Sequence, residues 1–128
     1  MLKMRMPRPN APTNEFLSLW ADEVAQRLGL KTFSVYRSGE NIKLHLLIVD
    51  KAEQRQGRGS QAVRELCDLA DLYERRIILT PGSQDDHHGT ISRSRLISFY
   101  KRFGFKENKG RDKDFSISAT MYRDPKRT

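Results

Sequence analysis

The stretch Gln54-Arg55-Gln56-Gly57-Arg58-Gly59-Ser60 brings together residue types that can hold a phosphorylated ligand. An apolar run, Leu46 to Val49, and a short polar link precede it. A segment follows in which Val63, Leu66, Cys67, Ala70 and Tyr73 recur with helical spacing. Strand, glycine loop and helix start therefore succeed one another. A helix start leaves several backbone N–H groups without intrahelical partners, and the helix dipole adds partial positive charge there. Glycines let the backbone approach a bulky anion closely, while Arg55 and Arg58 bring full positive charge. The chemistry expected of this stretch is the binding of a pyrophosphate.

Two motifs compete for these residues, beside a plain glycine turn between strand and helix. Gly57-Arg58-Gly59-Ser60-Gln61-Ala62 satisfies G-x-G-x-x-A, the dinucleotide fingerprint. That fingerprint places its first glycine almost directly after a strand and an acidic residue at the end of the next strand. Here several polar residues intervene, and Asp71 and Glu74 come before the next strand. The other reading is Gln54-x-x-Gly57-x-Gly59, with Ser60 opening the helix.

Asp85-Asp86-His87-His88 invites a metal reading, but adjacent histidines beside Gly89 lack the helical spacing of a typical site and the only cysteine is remote. No metal is expected. Cys67 falls on the apolar side of its helix, which suits a buried thiol better than a nucleophile.

The elements that must position these groups are legible in order. Residues 1–13, with Pro7, Pro9 and Pro12, read as an extended arm. Thr13 or Asn14 can cap a helix that runs to Leu28 and stops at Gly29, with Phe16, Leu19, Trp20, Val24 and Leu28 or Arg27 as its buried stripe. A strand, Lys31 to Arg37, turns through Ser38-Gly39-Glu40-Asn41 into a returning strand, Ile42 to Asp50. Strict alternation would put Ile42, Leu44, Leu46 and Ile48 on one face, and Lys43, His45, Leu47 and Val49 on the other. Helix 60–74 and the short strand Ile77-Ile78-Leu79 complete a parallel crossover. Ser92 can cap another helix carrying Leu96, Ile97, Phe99, Tyr100 and Phe103, which Gly104 ends. A final strand is expected from Phe115 to Tyr122, alternating Phe115, Ile117, Ala119 and Met121, and residues 123–128 read as a solvated tail.

A chain of 128 residues suits one domain, 14–122, with a single core. Hydrophobic residues make up 37% and mean hydropathy is -0.72, which implies a small core beneath a charged surface. No apolar run approaches the ~18 residues of a membrane span, and the basic start Met1 to Pro7 lacks the apolar stretch of a secretory leader. One cysteine forms no internal disulfide, which suits a cytoplasmic setting. The net charge of +8 favours polyanionic company: nucleic acid, an acidic protein surface or a heavily phosphorylated cofactor. An exposed hairpin edge would permit a homodimer.

Leu96-Ile97-Ser98-Phe99-Tyr100-Lys101-Arg102-Phe103-Gly104-Phe105 resembles the second signature of the GNAT N-acetyltransferase superfamily, a helix with a tyrosine four residues before Gly-Phe. Gln54 to Ser60 resembles the coenzyme A pyrophosphate loop of the same superfamily, and both stand in the family's order over about residues 42–122. The resemblance implies an α/β fold, a single-domain mixed central sheet flanked by helices, here with a shortened N-terminal half. The short form is similar to small phage-borne members, some of which modify host defence proteins. Gln84-Asp85-Asp86, Ser92 and Leu96-Ile97-x-Phe99-Tyr100 add to that likeness.

The resemblance further implies acetyl-CoA as co-substrate and direct transfer to an amine, with no acyl-enzyme. Backbone around Leu47, Ile48 and Val49 would polarise the thioester carbonyl, and Arg55, Gln56, Gly57, Arg58, Gly59 and Ser60 would hold the pyrophosphate. Arg93 stands where many relatives carry a pantetheine-contacting asparagine. Tyr100 is the candidate general acid, since a phenol with a pKa near ~10 stays protonated at neutral pH. The family's glutamate base falls near Lys43, a poor base; His45 on the same strand is the candidate instead, and a structural histidine is the competing reading. Asp85 and Asp86 would bind a cationic acceptor such as a protein lysine, or stand as solvated loop carboxylates. The second function class is a non-catalytic module that binds or inhibits a protein or nucleic acid through its basic surface; a dinucleotide-binding protein is a third.

Overall fold

A computed structural model describes residues 8–49, 57–81 and 92–126. Its first element, α1 (Asn14–Leu28), starts where the Thr13 hydroxyl accepts a hydrogen bond from the Phe16 amide and ends at Gly29 in the left-handed region, φ 67°. The buried stripe is Leu17, Ala21 and Val24, not the one expected from Phe16 and Leu19, which are 40% and 65% exposed. Small Ala21 lets the helix approach the sheet, and Trp20 covers the margin by packing its ring 5.7 Å from Phe33. Phe16 instead lies against Tyr73 at 6.1 Å.

Strands β1 (Thr32–Ser38) and β2 (Asn41–Ile48) form the expected hairpin. Gly39 has φ 60°, which glycine tolerates at the first central position of a two-residue turn. Next come α2 (Arg58–Leu72) and β3 (Ile77–Leu79), whose strand lies parallel to β2. The helix α3 (Arg93–Lys101) is capped by the Ser92 hydroxyl, and β4 (Lys106–Glu107) and β5 (Met121–Arg123) finish the chain. Among the described residues the sheet has five strands in the order β1-β2-β3-β5-β4, mixed in direction, with three helices.

One buried cluster joins the helices to the sheet: Leu17 and Val24 of α1, Val63 and Leu66 of α2, Ile42 and Leu44 of β2, and Tyr100 of α3. Removing each large apolar side chain of this kind from water contributes roughly 1.5–3 kcal/mol. Charged clamps fix the helices at its rim. Arg27 holds Glu65 through two nitrogens, one of them at 3.1 Å, and so ties α1 to α2. Arg123, 4% exposed, grips Asp71 of α2 at 2.8 and 3.1 Å and donates from Nε to the Phe103 carbonyl at 3.0 Å. Burial opposes ionisation of Asp71, yet its bonds to Arg123 hold the carboxyl below its usual range.

Two expectations at the C-terminus give way. The strand foreseen from Phe115 is three residues long, because Asn108 draws residues 114 and 119 into a turn: its side chain bonds the Asp114 amide and carbonyl and the Ala119 carbonyl. Phe115 is consequently 84% exposed. Arg123, placed by sequence in a solvated tail, is a buried member of β5.

Candidate active site

The site is laid out by an irregularity in β2. Ser34 faces Leu46 and Val35 faces Leu44, so His45 is an extra residue with no opposite number in β1. This bulge resets the alternation. Leu44 and Leu47 both turn to the buried side, while His45 is exposed and Leu46 only half-buried. The expected grouping of Leu46 and Ile48 with Leu44, and of Leu47 with His45, is thereby corrected. The sequence did carry a signal: Leu46-Leu47-Ile48-Val49 is continuously apolar where a regular half-buried strand would alternate. Bulges bend a strand and re-aim its side chains, and they recur beside active sites.

Beyond this point the two parallel strands part. The β2–β3 ladder registers only Ile42 with Ile77 and Lys43 with Ile78, while β2 continues to Ile48 along β1. The gap opens at the C-terminal ends of parallel strands, where open α/β sheets receive ligands. Leu47, Ile48 and Val49 line its β2 side.

The same end meets the start of α2. Gly57 is the N-cap, at φ 72°, and offers no capping side chain, whereas α1 and α3 are capped by hydroxyls. The helix begins two residues earlier than expected, so Gly59 and Ser60 lie in its first turn. No acidic residue occupies that turn. A β-carbon on Gly59 would stand 3.4 Å from Val49 Cγ2, so the turn packs directly on the end of β2. Arg58 directs Nη1 to the Leu28 carbonyl at 3.0 Å, placing its guanidinium at the C-terminus of α1. Arg55 and Gln56, with Gln54, lie outside the described residues, as do Asp85, Asp86 and the neighbouring His87 and His88.

Tyr100 is 2% exposed, with its ring 5.1 Å from Phe99 and 5.5 Å from Phe105. It shares the helix-side cluster with Leu47. Exposed His45 stands on the other side of β2, its ring 5.7 Å from Tyr36. The two residues therefore flank the strand from opposite faces. Arg93 is exposed at the first position of α3. Sequence reasoning missed Tyr36, which no motif marks, and the Asp71–Arg123 clamp, which needs tertiary structure to be seen. Among the described residues no group of three or more His, Cys, Asp or Glu is placed to hold a metal ion, and no described helix is long and apolar enough to cross a membrane.

Residues 15–107 match the acetyltransferase (GNAT) domain family. The chain belongs to this family. Among solved structures, the anti-CRISPR protein AcrVA5 is similar with a TM-score of 0.54 and 27% identity, over 70% of this chain and 85% of that one. Ard1 from Thermoplasma volcanium shares the fold, with a TM-score of 0.52 and 20% identity over 74% of this chain and 62% of that one. No curated protein sequence matches the chain. As a GNAT protein it is an N-acetyltransferase, and the fold implies acetyl-CoA as co-substrate. The residues present fit that ligand: the glycine start of α2, without a capping side chain or a carboxylate, suits a pyrophosphate.

Proposed function

We propose that the protein acetylates an amine on a macromolecule, a lysine or amino group of a protein, by direct transfer. The observation that supports this most is the junction of Val49 with Gly59, which sets the α2 N-terminus at the mouth of the gap between β2 and β3. Bound acetyl-CoA would supply an acetyl thioester. Gly57, Gly59 and Ser60 would hold its pyrophosphate through backbone N–H groups, with Arg55, Gln56 and Arg58 beside them and Arg93 at the start of α3. Backbone from Leu47 to Val49 would stabilise the developing oxyanion. His45 would accept the proton of the attacking amine on the open face of the sheet, while Tyr100 would deliver one to the departing thiolate from the buried face. A C–N bond forms, a C–S bond breaks, and the two proton transfers balance. Asp85 and Asp86 would meet a cationic acceptor. The cytoplasm is the compartment this chemistry suits.

The test is incubation of the purified protein with radiolabelled acetyl-CoA and a cell extract, read as label on protein and release of free thiol. Both should appear together and fall together in Tyr100→Phe. A second reading has support in the similarity to a structure described as an anti-CRISPR protein: a module that inhibits a protein, or a nucleic acid, by occupancy. It would keep its cellular effect in Tyr100→Phe, and acetyl transfer would not.

A further inference from the structure

The face of the sheet turned away from the helices carries a second feature. Tyr36, Lys43, Ile78 and Tyr122 are successive cross-strand partners, forming one row over four strands. Residues 114–119 fold back over this row, pinned by Arg76 to Asp114 at 2.6 Å and by the Thr120 amide to the Thr80 hydroxyl at 3.3 Å. Between that loop and the β1–β2 turn lies a cavity of about 330 Å³, lined by Ser38, Asn41, Lys43, Ile78, Ser116 and Ser118.

Its charge is unbalanced. Among the described residues Lys43 has no carboxylate partner; its ammonium lies 5.8 Å from the centre of the Tyr36 ring. Glu40, a carboxylate on the wall, is already taken by Arg75 at 2.5 Å, Arg8 at 3.0 Å and Arg37 at 3.7 Å. Asp114 is likewise held by Arg76 and Ser116. A cavity with hydroxyl and amide walls and, among the described residues, one ammonium without a carboxylate matches one carboxylate; a phosphate group would be expected to meet several arginines. At the rim, Phe115 is 84% exposed, an aromatic anchor of the kind that protein interfaces use.

Position connects the cavity to the transfer site. Lys43 and Leu47 are four residues apart on β2, but the bulge makes them three ladder steps apart, opposite Tyr36 and Phe33, or about 10 Å at the rise of a strand. An extended peptide covers that distance in about three residues. Given acetyl transfer to a protein amine, on which this step rests, we infer that the cavity is a specificity subsite of the acceptor. It takes an aspartate or glutamate side chain lying about two to four residues from the lysine that is acetylated. Lys43 is thus a recognition residue.

The experiment uses lysine-centred peptides in which a glutamate is walked, one position at a time, to either side of the lysine. Initial rates are measured with the intact protein, Lys43→Ala and Lys43→Glu. Glutamate at one or two neighbouring positions should lower KM by about ten- to a hundredfold, the worth of one charge-assisted hydrogen bond. Lys43→Ala should erase that preference, and Lys43→Glu should replace it with one for arginine or lysine at the same positions. KM for acetyl-CoA should stay constant, which shows that the variants fold. Acetylation that ignores glutamate placement, or a preference unchanged in Lys43→Glu, overturns the subsite alone. Absence of transfer to every peptide and to simple amines overturns the transferase reading and the subsite with it.

Discussion

Val49 and Gly59 touch with no side chain between them: a β-carbon on Gly59 would sit 3.4 Å from Val49 Cγ2. A carboxylate introduced there would be forced toward the α2 N-terminus, occupying it with negative charge. Gly59→Glu should therefore abolish stabilisation by acetyl-CoA in thermal unfolding. The unsubstituted protein should gain about 2.7 kcal/mol at a hundred times its Kd.

Replacing Tyr100 by Phe removes an oxygen and leaves the rings of Phe99 and Phe105 their partner. The variant should still unfold cooperatively, destabilised by no more than the loss of one hydrogen bond, about 1 kcal/mol. The turnover number should drop about a hundredfold, as for loss of a general acid, with KM for acetyl-CoA unchanged.

The bulge separates two roles of His45. His45→Ala keeps the extra residue and loses the imidazole; kcat/KM should fall by roughly tenfold to a hundredfold. Deleting His45 leaves Leu44-Leu46-Leu47, in which regular alternation still buries Leu44 and Leu47, so the protein should fold. Its transfer activity should nevertheless fall further than in His45→Ala, because backbone geometry from Leu46 onward is reset. Equal losses in the two variants would place all the effect in the side chain.

Asp71 and Asp114 predict the acid limb of stability. Both carboxyls lie below their usual range: Asp71 through Arg123 against the cost of burial, and Asp114, at about 2, through the Ser116 hydroxyl and amide and Arg76. A depressed folded-state pKa contributes stability that is fully present above the unfolded value, near ~3.9, and is lost as pH falls through the folded one. Urea midpoints should thus decline below about pH 4 toward pH 2. Asp71→Asn strands the buried Arg123 and should cost about 3 kcal/mol at neutral pH, while its midpoint falls less steeply with acid.

Burial pushes the Cys67 thiol up to about 11. A disulfide reagent at pH 8 should leave it untouched in the native protein and titrate one thiol per chain after denaturation, the chain having a single cysteine.

Local chemistry made much of this readable in advance. Thr13 and Gly29 bound α1, Ser92 starts α3, and Gly57 marks the β2–α2 junction because capping and positive φ are properties of single residues. What escaped depends on partners far along the chain. The buried stripe of α1 shifted to Leu17 and Ala21 because the sheet, not the helix, selects the contact face. His45 changed the faces of β2 because register is a property of two strands. The strand expected from Phe115 gave way to the bonds of Asn108, which neither propensity nor period expresses.

The glycine start of α2 and the gap beside β2 should receive acetyl-CoA for transfer to an amine. Calorimetric titration of the intact protein with acetyl-CoA, with NADH in parallel, reads that binding. Saturable binding of acetyl-CoA between submicromolar and tens of micromolar, about −6 kcal/mol or stronger, with none of NADH and none in Gly59→Glu, is the result expected. Folded protein that binds no acetyl-CoA at about millimolar concentration, where even −4 kcal/mol would register, would rule out acetyl-CoA as its co-substrate.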